Sequence, residues 1–270
     1  MIALKYLPSQ FQEWNARWGA PYGHKRLPDA VTSRLPLRLK AALVGPFGFQ
    51  AFNNRTRLFE YPWAFHVTEL EQGQRAVDLG GSLGGFQFVL ARSGLVVHNV
   101  DPGLAAAMGW NVPTSTHGKL NAAFGTNVSL HATKLQDAAI ARHSIDRFFA
   151  ISTLEHIPPA EIPAVIRAMS DSLSPGGKAV LTVDLFLDQV PFTPRRSSNA
   201  HGSNINIRHI VEMSGLTLVE GNPAQLYGFD EFDPAAVLAE LDSYLWGDVG
   251  PCVAQAFVLQ KPSSDVEQCE

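Results

Sequence analysis

Asp78, the glycines at 80, 81, 84 and 85, and Asp101 are the residues whose types and spacing most directly imply chemistry. They sit in one stretch, RAVDLGGSLGGFQFVLARSGLVVHNVD, from Arg75 to Asp101. Ala76-Val77-Asp78-Leu79 reads as a short buried strand running into Gly80 and Gly81. Ser82 is predicted as an N-cap, after which Leu83, Phe86, Val89 and Leu90 recur at helical spacing. Gly94 stops that helix, and Leu95 to Val100 is a second apolar run ending at Asp101. Strand, glycine turn, helix and a strand with an acidic end form half of a nucleotide-binding crossover. A glycine turn alone also serves purely structural ends. The whole constellation favours an adenosine-type cofactor.

Charge narrows the choice of cofactor. A dinucleotide fingerprint needs a second glycine where the pyrophosphate meets the backbone, and no anion beside it. Here the pattern is Gly80-x-Ser82-x-x-Gly85, and Asp78 stands at the mouth of the turn, where it would repel a pyrophosphate. S-adenosylmethionine (SAM) carries no phosphate and brings an ammonium and a sulfonium instead. Asp78 therefore fits SAM and disfavours NAD.

With those residues in hand, the chain resembles the class I SAM-dependent methyltransferases. Their first motif sets an acidic residue before a Gly-x-Gly-x-Gly turn, matched here by Asp78-Leu79-Gly80-Gly81-Ser82-Leu83-Gly84, with Ser82 replacing the middle glycine. The family's acidic residue at the end of the second strand, which holds the ribose hydroxyls, matches Asp101. The resemblance continues to about Leu185, through IDRFFAISTLEHIPP and LSPGGKAVLTVD. It implies SAM as cofactor and S-adenosylhomocysteine (SAH) as product. It also implies an α/β fold: a Rossmann-like seven-stranded sheet with helices on both faces, here with an N-terminal mainly helical extension. In the family a segment before the first strand often closes over SAM. Arg57 is thus placed to pair with the methionyl carboxylate, because a guanidinium fork matches a carboxylate, and Tyr61 to line the same wall. Family members also use a residue after the third strand near the adenine amino group. Asp137 is the nearest candidate, a helix or turn cap being the alternative.

The fourth apolar run, Arg147 to Ile151, ends in Ser152-Thr153-Leu154-Glu155-His156 at the carboxyl edge, where ligands bind in such folds. Ser152 is assigned to the cofactor edge. His156 can take a proton near neutral pH and Glu155 can orient it, so the two are the candidate catalytic pair. The alternative is that they cap the helix opened by Pro158-Pro159, whose Ile162, Val165, Ile166, Met169 and Leu173 form one apolar face. Related enzymes that hold a divalent ion carry a further glutamate where Ser152 stands. His24, His66, His117 and His201 lack ligand spacing, so no metal site is expected.

The elements that must position these residues follow in order. Residues 1–73 read as an extension or lid: Phe11, Trp14 and Trp18 on an amphipathic piece, a helix around Val31 to Val44 broken at Pro36, then the aromatic-rich Phe47 to Leu70. That last stretch is either a lid over the cofactor or a helix docked by aromatic anchors. Residues 74–262 form the SAM-binding domain, and 263–270 a polar tail. Leu104 to Trp110 reads as a helix, Asn111 to Thr126 as a loop or broken helix, and Val128 to Ala132 as the third strand. Ser174 to Gly177 reads as a turn before a fifth strand, Lys178 to Val183, ending at Asp184. Leu185 to Asn206 is a long aperiodic loop, which in a compact domain signals function or disorder. Arg195-Arg196 within it reads as a solvated basic pair. Ile207 to Met213 is helical, Leu216 to Glu220 the sixth strand, Pro234 to Leu245 an inserted helix and Val253 to Leu259 the closing strand.

Composition bounds the function. The 270 residues are 46% hydrophobic with a net charge of −4, enough to fill a large core and without a general attraction for nucleic acid or anionic membrane. Cys252 and Cys269 are too few for a disulfide framework. No signal-peptide pattern or membrane-spanning run is found, so a cytoplasmic enzyme with a small-molecule acceptor is expected. The chain lacks the Asp/Asn-Pro-Pro-aromatic tetrad that marks many methyltransferases of base nitrogens, which with the acidic net charge argues against DNA and RNA substrates; transfer onto the oxygen of a small molecule is the leading expectation. The alternatives are a protein or RNA methyltransferase, a SAM-binding protein without transfer, and a dinucleotide oxidoreductase, the last opposed by Asp78 and Ser82. Oligomeric state is not legible.

Overall fold

The computed structural model describes residues 1–50, 53–103 and 114–263. The chain divides into two compact units, Pro8–Ala139 and a second made of Met1–Leu7 with the chain from Ile140 onward. The first unit carries three parallel strands, β1 (Arg75–Leu79), β2 (Val96–Val100) and β3 (Ser129–His131), with Asp78 opposite Asn99 and Val100 opposite His131. Ala76, Val77 and Val97 are buried, as expected of interior parallel strands. Its helices are α1 (Ser9–Trp18), α2 (Asp29–Thr32), α3 (Leu37–Val44), α4 (Arg57–His66), α5 (Phe86–Arg92) and α6 (Thr114–Phe124).

The N-terminal helices pack into the core of this unit. Trp14 packs against Phe47, Phe65 and Phe86 at centroid distances of 5.9, 5.6 and 6.4 Å. Tyr61 stacks on Phe86 at 5.5 Å and meets Phe47 at 4.8 Å. Burying each such ring is worth roughly 2–3 kcal/mol, so α1 and α4 are held firmly beside α5. Pro62 lies inside α4 and lacks the N–H that would bond the carbonyl of Leu58. The buried Asn15 side chain of α1 supplies that bond at 2.7 Å. Pro36 stands immediately before α3, as the break at that residue predicts.

Two expectations in this unit are corrected. Ser82 is no N-cap: α5 begins only at Phe86, because the intervening residues form a separate turn. The polar stretch expected to be a loop or broken helix instead forms α6, whose exit is clamped by Asn121, bonded through both ends of its amide to the backbone of Val128 at 2.9 Å. The helix expected over Leu104 to Trp110 and the tail beyond Ser263 lie outside the described residues.

The second unit carries β4 (Ile145–Ile151), α7 (Ile162–Ser172), β5 (Leu173–Phe186), α8 (Ile207–Ser214), β6 (Thr217–Glu220), α9 (Pro234–Ala239) and β7 (Cys252–Gln260). β4 pairs parallel with β5, while β7 runs antiparallel between β5 and β6. The expected turn at Ser174–Gly177 is an irregularity within a longer strand: the register moves from Ile145↔Leu173 to Arg147↔Lys178. The inserted helix closes at Ala239, and Leu241–Ser243 adds one tight turn. The first residues join this unit: Ile2 bridges Gln255 and is buried with Leu185, Val237, Tyr244 and Val253. The strand order is β3-β2-β1-β4-β5-β7-β6 in a seven-stranded sheet. Among the described residues no helix is long and apolar enough to cross a membrane.

Candidate functional site

The glycine turn follows directly from β1. The Gly80 N–H bonds the Val100 carbonyl at 2.9 Å, and Gly84 closes the turn by bonding the Gly81 carbonyl at 2.7 Å. Gly81 is required by crowding. A Cβ there would lie 2.7 Å from Asp78 Oδ2 and 2.9 Å from Asn99 Oδ1. Ser82 takes a φ of 46°, the left-handed region that side chains disfavour. Its N–H donates to Asp101 Oδ2 at 3.0 Å, and the Gly103 N–H donates to Asp101 Oδ1 at 2.7 Å. Asp101, just beyond β2, therefore shapes the turn itself.

Around Gly81 the described protein atoms present acceptors without matching donors. Asp78 is 4% exposed and receives no hydrogen bond from a described residue, while Asn99 Oδ1 is buried without a partner among them. Burial, and then the Asp101 carboxylate, push the Asp78 carboxyl up to about 7. Such a cradle suits a ligand that brings N–H groups, hydroxyls or positive charge, because an unpaired buried acceptor is costly. It is a poor seat for a phosphate. SAM meets this test of fit, with Asp78, Asn99 and Asp101 as the residues that would hold it.

Arg57 and Tyr61 stand on α4 in the same unit. Arg57 Nη1 pairs with the fully buried Glu60 at 2.5 Å, and its guanidinium carbon lies 5.9 Å from the Tyr61 ring centroid. Tyr61 donates to Asn53 Oδ1 at 3.4 Å. Burial raises its pKa to about 12, with Arg57 opposing the shift and Asp78 and Glu60 adding to it. Tyr61 thus stays protonated, within electrostatic reach of Asp78. Asp137 lies at the end of a short turn, Leu135–Asp137, and is exposed.

The other candidates belong to the second unit. Ser152 follows β4 with a φ of 38°, and its N–H donates to the carbonyl and hydroxyl oxygens of Thr182 at 3.0 and 3.1 Å. Ser152 and Ser82 thus both hold uncommon backbone conformations just beyond a strand, a feature that clusters at functional sites. Glu155 is buried, and its Oε1 accepts from the Asp184 N–H at 2.9 Å, tying the ends of β4 and β5. His156 is exposed to solvent.

The long loop after β5 is held in place. Gln189, fully buried, donates to the Gly202 carbonyl at 2.9 Å and accepts from the Asn204 N–H at 3.0 Å. Asn204 in turn bonds both backbone groups of Phe186, at 2.6 and 2.9 Å. Gly202, at a φ of 142°, leaves no room for a Cβ: one would sit 2.6 Å from the Glu155 carbonyl and 3.4 Å from His156 Nδ1. Arg196 reaches Asp188 at 3.5 Å on the surface. Among the described residues no group of three or more His, Cys, Asp or Glu is arranged to hold a metal ion.

Sequence reasoning missed four amides: Gln87, Asn99, Gln189 and Asn204. The available signal was their position, because Gln87 interrupts the apolar face of α5 and Asn99 the apolar run of β2. A polar residue in such a place is kept for its hydrogen bonds.

The strand order and the antiparallel seventh strand define the Rossmann-like methyltransferase fold. No protein-family model matches the sequence, and no curated protein matches it. Solved structures do resemble it. The [4+2]-cyclase SpnF is 14% identical, with a TM-score of 0.53 over 76% of this chain and 81% of that one. A protein from Galdieria sulphuraria, described as a sarcosine dimethylglycine methyltransferase, is 14% identical with a TM-score of 0.51 over 94% of this chain and 99% of its own. At such identities the likeness is one of fold.

Proposed function

We propose that this chain is a SAM-dependent methyltransferase acting on a small molecule. The observation that carries the reading is the acceptor-rich cradle at the ends of β1 and β2, where Asp78 lacks a donor among the described residues beside the unpaired Asn99 Oδ1. The ammonium and ribose hydroxyls of SAM are the donors that the cradle lacks, with Asp101 suited to the diol and Asp78 to the cationic end. A dinucleotide would set its pyrophosphate against a carboxylate already strained by its neighbour.

SAM supplies the methyl group in an in-line displacement. The chain's own residues orient the partners and exclude water. Arg57, fixed by Glu60, and Tyr61 are proposed as the wall at the methionyl end, Ser152 as a backbone contact, and Asp137 as a contact for the adenine. The acceptor is proposed to react through oxygen. His156, open to solvent after β4, takes the proton from a hydroxyl acceptor, and Glu155 holds the turn that carries it. A cytoplasmic setting belongs to this proposal.

A second reading is a SAM-binding protein that transfers no methyl group. The likeness in fold to SpnF, a cyclase, supports it. Calorimetry with SAH and NAD tests the cofactor, and incorporation of labelled methyl into candidate acceptors separates the two readings. Micromolar SAH binding with no heat from NAD is expected. NAD binding without an SAH signal would overturn the proposal.

A further inference from the structure

Ser82 stands where the family motif has a glycine, yet it adopts a left-handed backbone. The neighbouring bonds show what holds it there. Gln87 is fully buried near the start of α5, and its side chain folds back over the turn. Its amide nitrogen donates to the carbonyls of Ser82 and Gly84, each at 3.0 Å, and of Gly81 at 3.3 Å. Its Oε1 accepts from Asn99 Nδ2 at 2.9 Å and faces His117 Nε2 at 2.7 Å. This arrangement determines its own orientation, because a flipped Gln87 would aim its oxygen at three carbonyls.

Asn99 Nδ2 makes a second bond to the Ser82 carbonyl at 2.9 Å, and Asp101 takes the Ser82 N–H. Both polar groups of the Ser82 backbone are therefore held from outside the turn. Behind Gln87, His117 is buried on α6, with its ring 5.6 Å from that of Phe88. Burial favours the neutral imidazole, so the Nε2–H tautomer is the one that bonds Gln87 Oε1.

We propose that Gln87, oriented by Asn99 and His117, is the positioning residue of the cofactor turn and holds Ser82 in the conformation a glycine would adopt unaided. The ligand in this proposal rests on the SAM reading; the geometry does not. Gln87 acts only through the turn and is not a catalytic residue.

A double-mutant cycle on Gln87→Leu and Ser82→Gly tests it, read by SAH calorimetry and by amide hydrogen exchange of the ligand-free turn. Gln87→Leu leaves the turn carbonyls without their donor, and SAH binding is expected to weaken roughly 10- to 100-fold. Exchange should rise in residues 80–86 and stay unchanged in β7. In the Ser82→Gly background the same Gln87→Leu change should cost at least about tenfold less, because glycine needs no clamp. Equal costs in the two backgrounds, or wild-type exchange in the turn, would overturn the proposal. If Gln87→Leu fails to fold, His117→Gln and His117→Leu replace it. The first keeps a donor for Gln87 Oε1 and should lose less SAH affinity than the second, and equal losses would refute the relay. If the wild-type protein shows no affinity for SAH, the cofactor reading fails, and the exchange pattern alone decides the role of Gln87.

Discussion

Replacing Asp78 by asparagine keeps the shape of the side chain and removes its charge. The structure sets the size of the effect. Burial and Asp101 move the carboxyl from 3.8 to about 7. Between those two values the folded chain retains a proton that the unfolded chain has released. Stability from this group is therefore fully present below 3.8 and declines as pH rises through about 7, by about 1.4 kcal/mol per unit. Over the whole interval the loss approaches about 4 kcal/mol as an upper figure. The asparagine of the Asp78→Asn variant does not titrate, and its new amide donor faces a strand whose Asn99 Oδ1 has no donor among the described residues. The expected result is a ligand-free variant more stable than wild type above neutrality. Urea denaturation of both proteins from about pH 5 to about pH 8 measures it. The difference in unfolding free energy should widen with pH and level off above about 7. Saturating SAH, whose ammonium favours the ionised carboxylate, should flatten the wild-type slope, while the variant binds SAH more weakly. Parallel stability curves for the two proteins, with no widening, would show that Asp78 is not a strained buried acid and would remove the main support for the cradle.

Three further results are expected. Asp101→Ala frees the N–H groups of Ser82 and Gly103 as well as any ligand hydroxyl, so SAH should weaken by about 1–3 kcal/mol in calorimetry; unchanged affinity would exclude Asp101 from the site. His156→Ala should lower single-turnover methyl transfer roughly 10²- to 10⁴-fold while SAH affinity holds, and wild-type turnover would remove His156 from the chemistry. Gly202→Ala forces a Cβ against the Glu155 carbonyl from a backbone angle that alanine resists, so urea denaturation should show a loss of about 1–3 kcal/mol; no loss would mean that the loop relaxes away from the turn after β4.

Local chemistry made much of this protein legible. The apolar runs at Ala76–Leu79, Leu95–Val100, Arg147–Ile151 and Val253–Leu259 mark strands because buried strands are predominantly apolar, and all four are found as strands. The place of Asp78 before paired glycines could be read for the same reason: a carboxylate beside exposed backbone selects its ligand by charge, whatever surrounds it. Helix and strand limits were read less well at Ser82 and at Ser174–Gly177. A serine can cap a helix or be drawn into a turn, and only the carboxylate of Asp101, distant in sequence, decides which. The same holds for Asn111 to Thr126, whose composition suits a loop but whose helix is completed by the bonds between Asn121 and Val128. For Arg57 the sequence suggests a carboxylate partner by residue type, and the structure adds an ion pair with the fully buried Glu60, one helical turn along α4. The clamp of Gln87, Asn99 and His117 lay beyond sequence reasoning altogether. Each is an unremarkable polar residue along the chain, and a hydrogen-bond network exists only when three separate elements bring donors and acceptors within about 3 Å of one another.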